Sequence, residues 1–312
     1  MQQAPYCVQI ELTLGCNLAC SFCGINNVEI PTRKFMTVAT ARTVAKRIAD
    51  AGWNSRIEFA RRGEPSLNPD MVAIMQAFRE QLPKASMLML TNGAGFIKQP
   101  ITNVLDVLRG GLNTLGVEGY EAVNYAQRIS AALAKSSIDT MRYPENKEGN
   151  PHKRYHGKRV VFIADLGSAT HGTHSKPNNH GGYAGPLVDY NRPCSKPFRE
   201  LSVNWDGTVN HCCIAWAGEM VCGNAVHTPL EDIWNNERFF AVRQKLLIGE
   251  RDFGTCKGCD HPTYRPGLLP DQLGKRKDMY PPPTQQTEAV LREMEAEGTQ
   301  IEQTQLYKER NA

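Results

Sequence analysis

Three cysteines stand close together near the start of the chain, in Gly15-Cys16-Asn17-Leu18-Ala19-Cys20-Ser21-Phe22-Cys23, with the spacing C-x3-C-x2-C. Three thiolates on so short a loop can ligate three irons of a cubane 4Fe–4S cluster. The fourth iron then keeps the open position that a catalytic metal needs. The same thiolates with a fourth ligand from elsewhere would make a zinc site. Cys194, Cys212, Cys256 and Cys259 form a second constellation, closed by Cys256-Lys257-Gly258-Cys259. Paired cysteines also make zinc ribbons, so spacing alone leaves the second metal open. Cys213 adjoins Cys212 and could replace it, while Cys7, Cys213 and Cys222 read most simply as buried inert thiols.

These residues need a scaffold, and the first part of the chain alternates strand-like and helix-like segments. Val8 to Leu14 reads as a strand that delivers the three-cysteine loop. Thr37 can cap a helix over 38–51 with Ala41, Val44, Ala45 and Ile48 on one face. Strands follow at Ile57 to Ala60, Ser86 to Leu90, Thr114 to Val117 and Arg159 to Asp165. Asn68-Pro69 opens a helix whose face is Met71, Ile74, Met75, Phe78 and Leu82. Ile101, Val104, Leu105 and Leu108 mark another helical face, and 119–135 is expected to be helical. Repeated β-α units with short connections imply an α/β fold with a parallel sheet and right-handed crossovers. The units amount to about six, a partial barrel over 1–165 rather than a closed eight-unit one.

Residues 166–192 begin with a loop rich in Gly, His, Asn and Ser, and 193–265 are rich in cysteine. There Leu201 to Trp205, Asp206-Gly207 and Thr208 to His211 read as a hairpin. Thr228-Pro229-Leu230-Glu231 looks like a capping box opening a helix that ends at Gly249. Residues 266–312 form a polar tail with one surface helix near 285–297 and no assigned chemistry. The 312 residues carry a net charge of +4, with 41% hydrophobic and 22% charged residues, enough for a real core. No apolar run approaches the ~18 residues of a membrane span, and no signal peptide is read. A cytoplasmic protein is expected, in which the clustered ones among ten cysteines serve metals and none is needed for disulfides.

The C-x3-C-x-aromatic-C loop after the first strand resembles the radical S-adenosylmethionine (SAM) superfamily. Phe22 holds the aromatic position that in the family packs beside the SAM adenine. Gly63-Glu64-Pro65, after the second strand, resembles the family's Gly-Gly-Glu motif, with Arg62 in place of its first glycine. The resemblance implies that Gly63 and Glu64 take hydrogen bonds from the SAM ammonium. Thr91-Asn92-Gly93 follows the third strand, where Asn92 would sit near the SAM methionine or ribose. Glu118 follows the fourth, at a ribose-binding position. Their order suits a parallel sheet, whose ligands bind at the carboxyl ends of strands. The implied chemistry is reductive cleavage of SAM to a 5′-deoxyadenosyl radical that removes a substrate hydrogen. The electron would come from a reductant such as flavodoxin or ferredoxin.

The second cysteine set resembles the SPASM/twitch appendage of a radical SAM subgroup, supported by Trp205-Asp206-Gly207, Gly223-Asn224 and Ile233-Trp234-Asn235. In its shorter, twitch form four such cysteines hold one auxiliary 4Fe–4S cluster. The fold then expected is a partial (β/α)6 radical SAM barrel with a small cysteine-rich, twitch-like C-terminal domain. Cys222 is a candidate hydrogen-atom donor of the epimerase type. His171, His174 and His180 are candidate substrate contacts in an otherwise polar surface loop. Ten basic residues between Arg142 and Arg199 face four acidic ones, a charge that could attract phosphate or nucleic acid. No leader-peptide-binding segment is read before Val8. The substrate reading is therefore isomerisation or oxidation of a nucleotide or DNA-linked substrate, as in phage thymidine hypermodification, which would place the protein in a host cytoplasm. Epimerisation or crosslinking of a ribosomal peptide is the alternative. A non-catalytic iron–sulfur or zinc protein is the alternative of another class.

Overall fold

The computed structural model describes residues 3–30, 32–120, 123–143, 159–167, 179–261 and 279–297. The chain divides into two compact units. One comprises Gln9–Phe22 and Thr32–Pro177, the barrel unit; the other comprises Met1–Val8, Cys23–Pro31 and Asn178–Ala312, the C-terminal unit.

The barrel unit is built on β1 (Cys7–Ile10, whose second half lies in this unit), β4 (Arg56–Phe59), β5 (Met87–Thr91), β6 (Thr114–Tyr120), β7 (Thr140–Tyr143) and β8 (Val160–Gly167). Their order is β1-β4-β5-β6-β8-β7, and every pair from β4 onward is parallel. This is the parallel sheet expected of a partial barrel, with β7, which the sequence pattern did not show, at its edge beyond β8. Helices α1 (Val38–Asp50), α2 (Met71–Gln81), α3 (Pro100–Arg109) and α4 (Tyr125–Leu133) connect the strands. Thr37 caps α1 as its position predicts, accepting from Thr40 N–H at 3.1 Å, and the predicted face of Ala41, Val44, Ala45 and Ile48 is buried. Phe59 of β4 meets Phe78 of α2 edge-on, with ring centroids 5.3 Å apart.

Three expectations shift. The single strand over Val8 to Leu14 is two: β1 ends at Ile10, and β2 (Thr13–Leu14) pairs antiparallel with β3 (Lys34–Phe35). The break falls at Glu11, whose buried carboxylate is engaged by Arg62. The helix expected over 119–135 shortens to α4, because Gly119 and Tyr120 stay paired with β8. Helix α2 starts at Met71, since Asn68 turns inward instead of capping it. The Asn68 amide donates to Leu12 O (2.7 Å) and Met36 O (3.0 Å), joining three segments beneath the cysteine loop.

In the C-terminal unit β9 (Glu200–Val203), β10 (Thr208–Asn210) and β11 (Val221–Asn224) form an antiparallel meander whose first turn is the predicted hairpin. The helix expected from Thr228 to Gly249 is two helices, α5 (Leu230–Trp234) and α6 (Glu237–Ile248). Pro229, not Thr228, precedes α5, and Asn236 interrupts the run because its side chain caps α6 at Phe239 N–H (3.0 Å). Gly249, left-handed at φ +91°, ends α6 as predicted. The tail helix α7 (Gln285–Ala296) forms where expected but is docked rather than solvated. Thr287, Leu291 and Met294 are buried, Thr287 Oγ1 donates to Gln244 (2.8 Å), and Lys245 pairs with Glu288 (2.8 Å).

Candidate active site and auxiliary metal centre

The three-cysteine loop leaves the barrel unit's first strands and is tied to the end of β4. Gly15 and Gly63 form a parallel bridge: Gly15 N–H donates to Arg62 O (3.3 Å) and Glu64 N–H to Gly15 O (3.2 Å). A Cβ on Gly63 would stand 2.2 Å from Thr13 O, so only glycine permits this approach. Arg62 sends its side chain into the interior, where it holds Glu11 by a fork of 2.7 and 2.8 Å bonds, both side chains fully buried.

Glu64 is a hub. Its Oε1 accepts from Ser66 N–H (2.9 Å), Ser66 hydroxyl (2.5 Å) and the Thr91 hydroxyl, and its Oε2 accepts from Asn92 N–H (2.7 Å). Burial pushes its carboxyl up, and these donors oppose that rise. The carboxylate thereby ties the end of β4 to the end of β5. Asn92 then donates from Nδ2 to Asn17 Oδ1 (3.0 Å) and to Cys16 Sγ (3.5 Å), while Leu18 N–H also reaches Cys16 Sγ (3.4 Å). Gly93, at φ +92°, supplies the left-handed turn that follows. The predicted residues Gly63, Glu64 and Asn92 are thus one connected set beside Cys16.

Glu118 and Phe22 meet through a residue the sequence reading missed. Tyr120 donates its hydroxyl to Glu118 Oε2, and its ring lies 5.5 Å from that of Phe22. Burial first, then repulsion from Glu58 and Glu64, raises the Glu118 carboxyl to about 7, against the Tyr120 hydrogen bond. Tyr120 follows Glu118 by two residues on a strand, hence on the same face, which is the signal that could have found it.

In the C-terminal unit Cys194, Cys212, Cys256 and Cys259 line one cavity together with Lys196, His211, Arg251 and His261. Cys212 lines it and Cys213 does not: Cys213 Sγ accepts from Lys196 Nζ (3.2 Å) instead. His211 Nε2 lies 3.5 Å from Cys256 Sγ, and the N–H groups of Ile214 and His261 reach Cys212 Sγ (3.5 Å) and Cys259 Sγ (3.4 Å). Burial pushes the thiols of Cys194, Cys256 and Cys259 up, the last to about 11. A hydrogen bond with Cys213, then burial, does so for Cys212. Four thiols, those of Cys194 and Cys259 buried and those of Cys212 and Cys256 half-buried, suit a site whose cationic metal drives off the protons.

Residues 10–129 match the model of the radical SAM superfamily, and residues 194–260 match SPASM, an iron–sulfur cluster-binding domain. The chain is a radical SAM enzyme with a C-terminal SPASM-type domain. Among its relatives, the S-adenosyl-L-methionine-dependent 2-deoxy-scyllo-inosamine dehydrogenase of Niallia circulans is 22% identical over 260 residues, 81% of this chain and 92% of that protein. The crystal structure of BtrN in complex with AdoMet and 2-DOIA shares the fold at a TM-score of 0.66 and 20% identity, covering 85% of this chain and 98% of that one. SeMet BtrN in an open conformation gives 0.56 at 20% identity, covering 84% and 94%.

The cofactors of this radical SAM enzyme are AdoMet, its 4Fe–4S cluster and an auxiliary cluster in the SPASM-type domain, and its electron comes from an external donor. The residues present fit them: one thiol-rich loop at the strand ends, and four thiols around a shared cavity. No described helix is long and apolar enough to cross a membrane.

Other expected site residues lie elsewhere. Cys222 is buried in β11, its thiol is raised to about 12 by burial, and it does not line the cysteine cavity. His180 is half-buried: its ring stacks on Trp216, 5.3 Å between centroids and 4° between planes, and burial lowers it to about 4. His171 and His174 lie outside the described residues, as do Lys147, Lys153, Arg154, Lys158 and Lys176. Of the remaining basic stretch, Lys196 and Arg199 are buried, and Lys196 is neutralised by Glu200 at 2.9 Å. Those two add nothing to a cationic surface.

Proposed function

We propose that this radical SAM enzyme is of the oxidoreductase type and dehydrogenates a hydroxyl-bearing carbon of a small polar substrate. The observation that carries this reading is the complete four-cysteine cavity of the SPASM-type domain. Oxidising an alcohol to a ketone removes one hydrogen atom, one proton and one electron. An isomerisation returns what it takes and needs no electron acceptor. When bound, AdoMet with its cluster supplies the hydrogen-abstracting radical, and the auxiliary cluster supplies a one-electron acceptor. The dehydrogenase from Niallia circulans, matched over 92% of its length, supports the oxidative outcome.

In this reading Cys16, Cys20 and Cys23 hold the AdoMet cluster, and Cys194, Cys212, Cys256 and Cys259 the auxiliary one. Phe22 and Tyr120 flank the adenine, and Glu118 accepts from a ribose hydroxyl. Gly63 lets the backbone at the end of β4 close on the cysteine loop. Glu64 works through Ser66, Thr91 and Asn92, all of which it already binds, more than by direct contact. Asn92 orients Cys16 through its amide. The domain limits 1–165, 166–192, 193–265 and 266–312 remain the functional division we propose.

The test is anaerobic reconstitution with dithionite and AdoMet, followed by mass spectrometry of hydroxylated and aminated ring substrates, thymidine derivatives and peptides. Loss of a hydrogen pair from a ring alcohol, with 5′-deoxyadenosine formed, is the expected result. Turnover without mass change would point to isomerisation instead.

The basic stretch over 142–199 favours a second reading, a nucleotide or DNA-linked substrate such as an amino-acid-modified thymidine. Duplex binding would then weaken with salt, log affinity falling by about 0.9 per neutralised phosphate per decade of salt. Replacing Lys153, Arg154, Lys158 and Arg159 by glutamate would abolish it while leaving AdoMet cleavage intact. Absence of DNA binding at low salt would reject this reading alone.

A further inference from the structure

Arg251 follows α6 and lines the cysteine cavity with its guanidinium buried. Its hydrogen bonds among the described residues all go to carbonyl oxygens. Nε donates to Arg192 (2.8 Å), Nη1 to Cys259 (2.7 Å) and His261 (3.4 Å), and Nη2 to Pro193 (3.4 Å) and His261 (3.3 Å). Its guanidinium also lies over the Tyr190 ring, 4.8 Å from the centroid. Two of the segments it ties carry proposed ligands: Arg192 and Pro193 lead into Cys194, and Cys259 with His261 form the other.

The rigid fork of an arginine suits such a clasp, because several planar donors serve several acceptors at once. Its charge is the other half of the observation. Lys196, the other buried cation at this cavity, is compensated by Glu200, whereas no described carboxylate pairs with Arg251. A buried charge without a counter-ion is costly to keep out of water. An anionic group in the cavity would offset that cost, and a cubane held by thiolates is anionic and gains a further negative charge on reduction. Net charge and hydrogen bonding around such clusters set their potentials.

We propose that Arg251 is the positioning residue of the auxiliary cluster: it clasps the Cys194 and Cys259 segments through their carbonyls and raises the cluster's reduction potential with a positive charge that no described carboxylate pairs. This rests on the reading that these cysteines hold the cluster. A raised potential suits a centre that takes an electron from a substrate radical, the role the oxidative reading requires.

The test uses the full chain with Cys16, Cys20 and Cys23 changed to alanine, so that only the auxiliary cluster gives a signal. Iron content, iron loss to a chelator and the midpoint potential by electron paramagnetic resonance are measured for Arg251 and for R251K and R251Q. The expected result is a lower midpoint in R251Q, a near-parental midpoint in R251K, and several-fold faster iron loss in both. Equal midpoints in the parent and R251Q, or a R251K midpoint as low as that of R251Q, overturn the charge argument. Unchanged iron loss in both variants overturns the clasp. If R251Q assembles no cluster, R251K decides: a parental midpoint with faster iron loss supports the proposal, and a lowered midpoint or no cluster overturns it. A parent without iron would instead reject the ligand reading, a failure visible before any Arg251 variant is made.

Discussion

The two cysteine sets that we propose as metal ligands are assembled in opposite ways. Cys16, Cys20 and Cys23 come from one loop, so chain connectivity alone brings their thiols near each other. The surrounding structure only has to aim the loop, which it does through the Gly15–Gly63 bridge and the Glu64–Asn92 contacts. Cys194, Cys212 and the Cys256–Cys259 pair come from three distant segments, and their cavity exists only once the meander and the end of α6 have packed. The first centre is local in ligands and long-range in support. The second is long-range in ligands, and Arg251 joins two of its segments through their carbonyls.

The comparison breaks most visibly through the ligands. Changing Cys16, Cys20 and Cys23 together to alanine is expected to abolish 5′-deoxyadenosine formation and to lower iron from about eight to about four per chain. Changing Cys194 and Cys256 to alanine is expected to remove the other four or so and to lower the melting temperature, because the distant segments lose their common anchor. Iron analysis with calorimetry checks both. Equal loss of stability from the two sets would contradict the contrast.

The support beneath the local loop can be struck next. Arg62→Met takes the guanidinium fork away from the buried Glu11 carboxylate, and should cost about 3–5 kcal/mol of stability by denaturant titration. The double change with Glu11→Leu should recover much of it, since apolar groups replace a buried pair at little cost. Glu64→Ala unties Ser66, Thr91 and Asn92 together. AdoMet affinity by calorimetry is expected to fall by about 1.5–3 kcal/mol, the worth of charge-assisted hydrogen bonds. Unchanged binding would remove the end of β5 from the AdoMet site.

The smallest effect concerns Glu118. Its folded-state value of about 7 lies above the ordinary carboxylate range, so the folded chain holds a proton that the unfolded chain has released. Stability therefore falls as pH rises through the ordinary carboxylate range to about 7, and the penalty is complete above that. Glu118→Gln should melt higher than wild type at pH 8, by about 1–2 kcal/mol after allowing for partial exposure, and equally at pH 4. Paired melts at the two pH values check it. A gain at both would mean that the carboxyl's size, not its charge, is at issue.

The three-cysteine loop, the strand-end positions of Glu64, Asn92 and Glu118, and the four auxiliary cysteines were legible in the sequence because each depends on local order: spacing, or place after a strand. The periodic faces of α1 and α2 were legible for the same reason. What a side chain does across the fold was not. Asn68 reads as a helix start and serves as a staple to Leu12 and Met36; Arg62 reads as a lost glycine and is half of a buried pair. The continuous helix expected to Gly249 breaks because Asn236 finds a capping partner in place of a helical one.

Residue order thus marked the groups that we propose bind metal and AdoMet, since those chemistries need particular atoms at short spacings. Only the tertiary structure decided that Cys212 rather than Cys213 faces the cavity, that Glu64 spends its oxygens on neighbouring loops, and that Arg251 meets the cysteine segments through their carbonyls. Two adjacent cysteines carry the same thiol, and one arginine resembles another. Which one faces a site is set by burial and hydrogen-bond satisfaction summed over distant segments, and neither can be read from spacing along the chain.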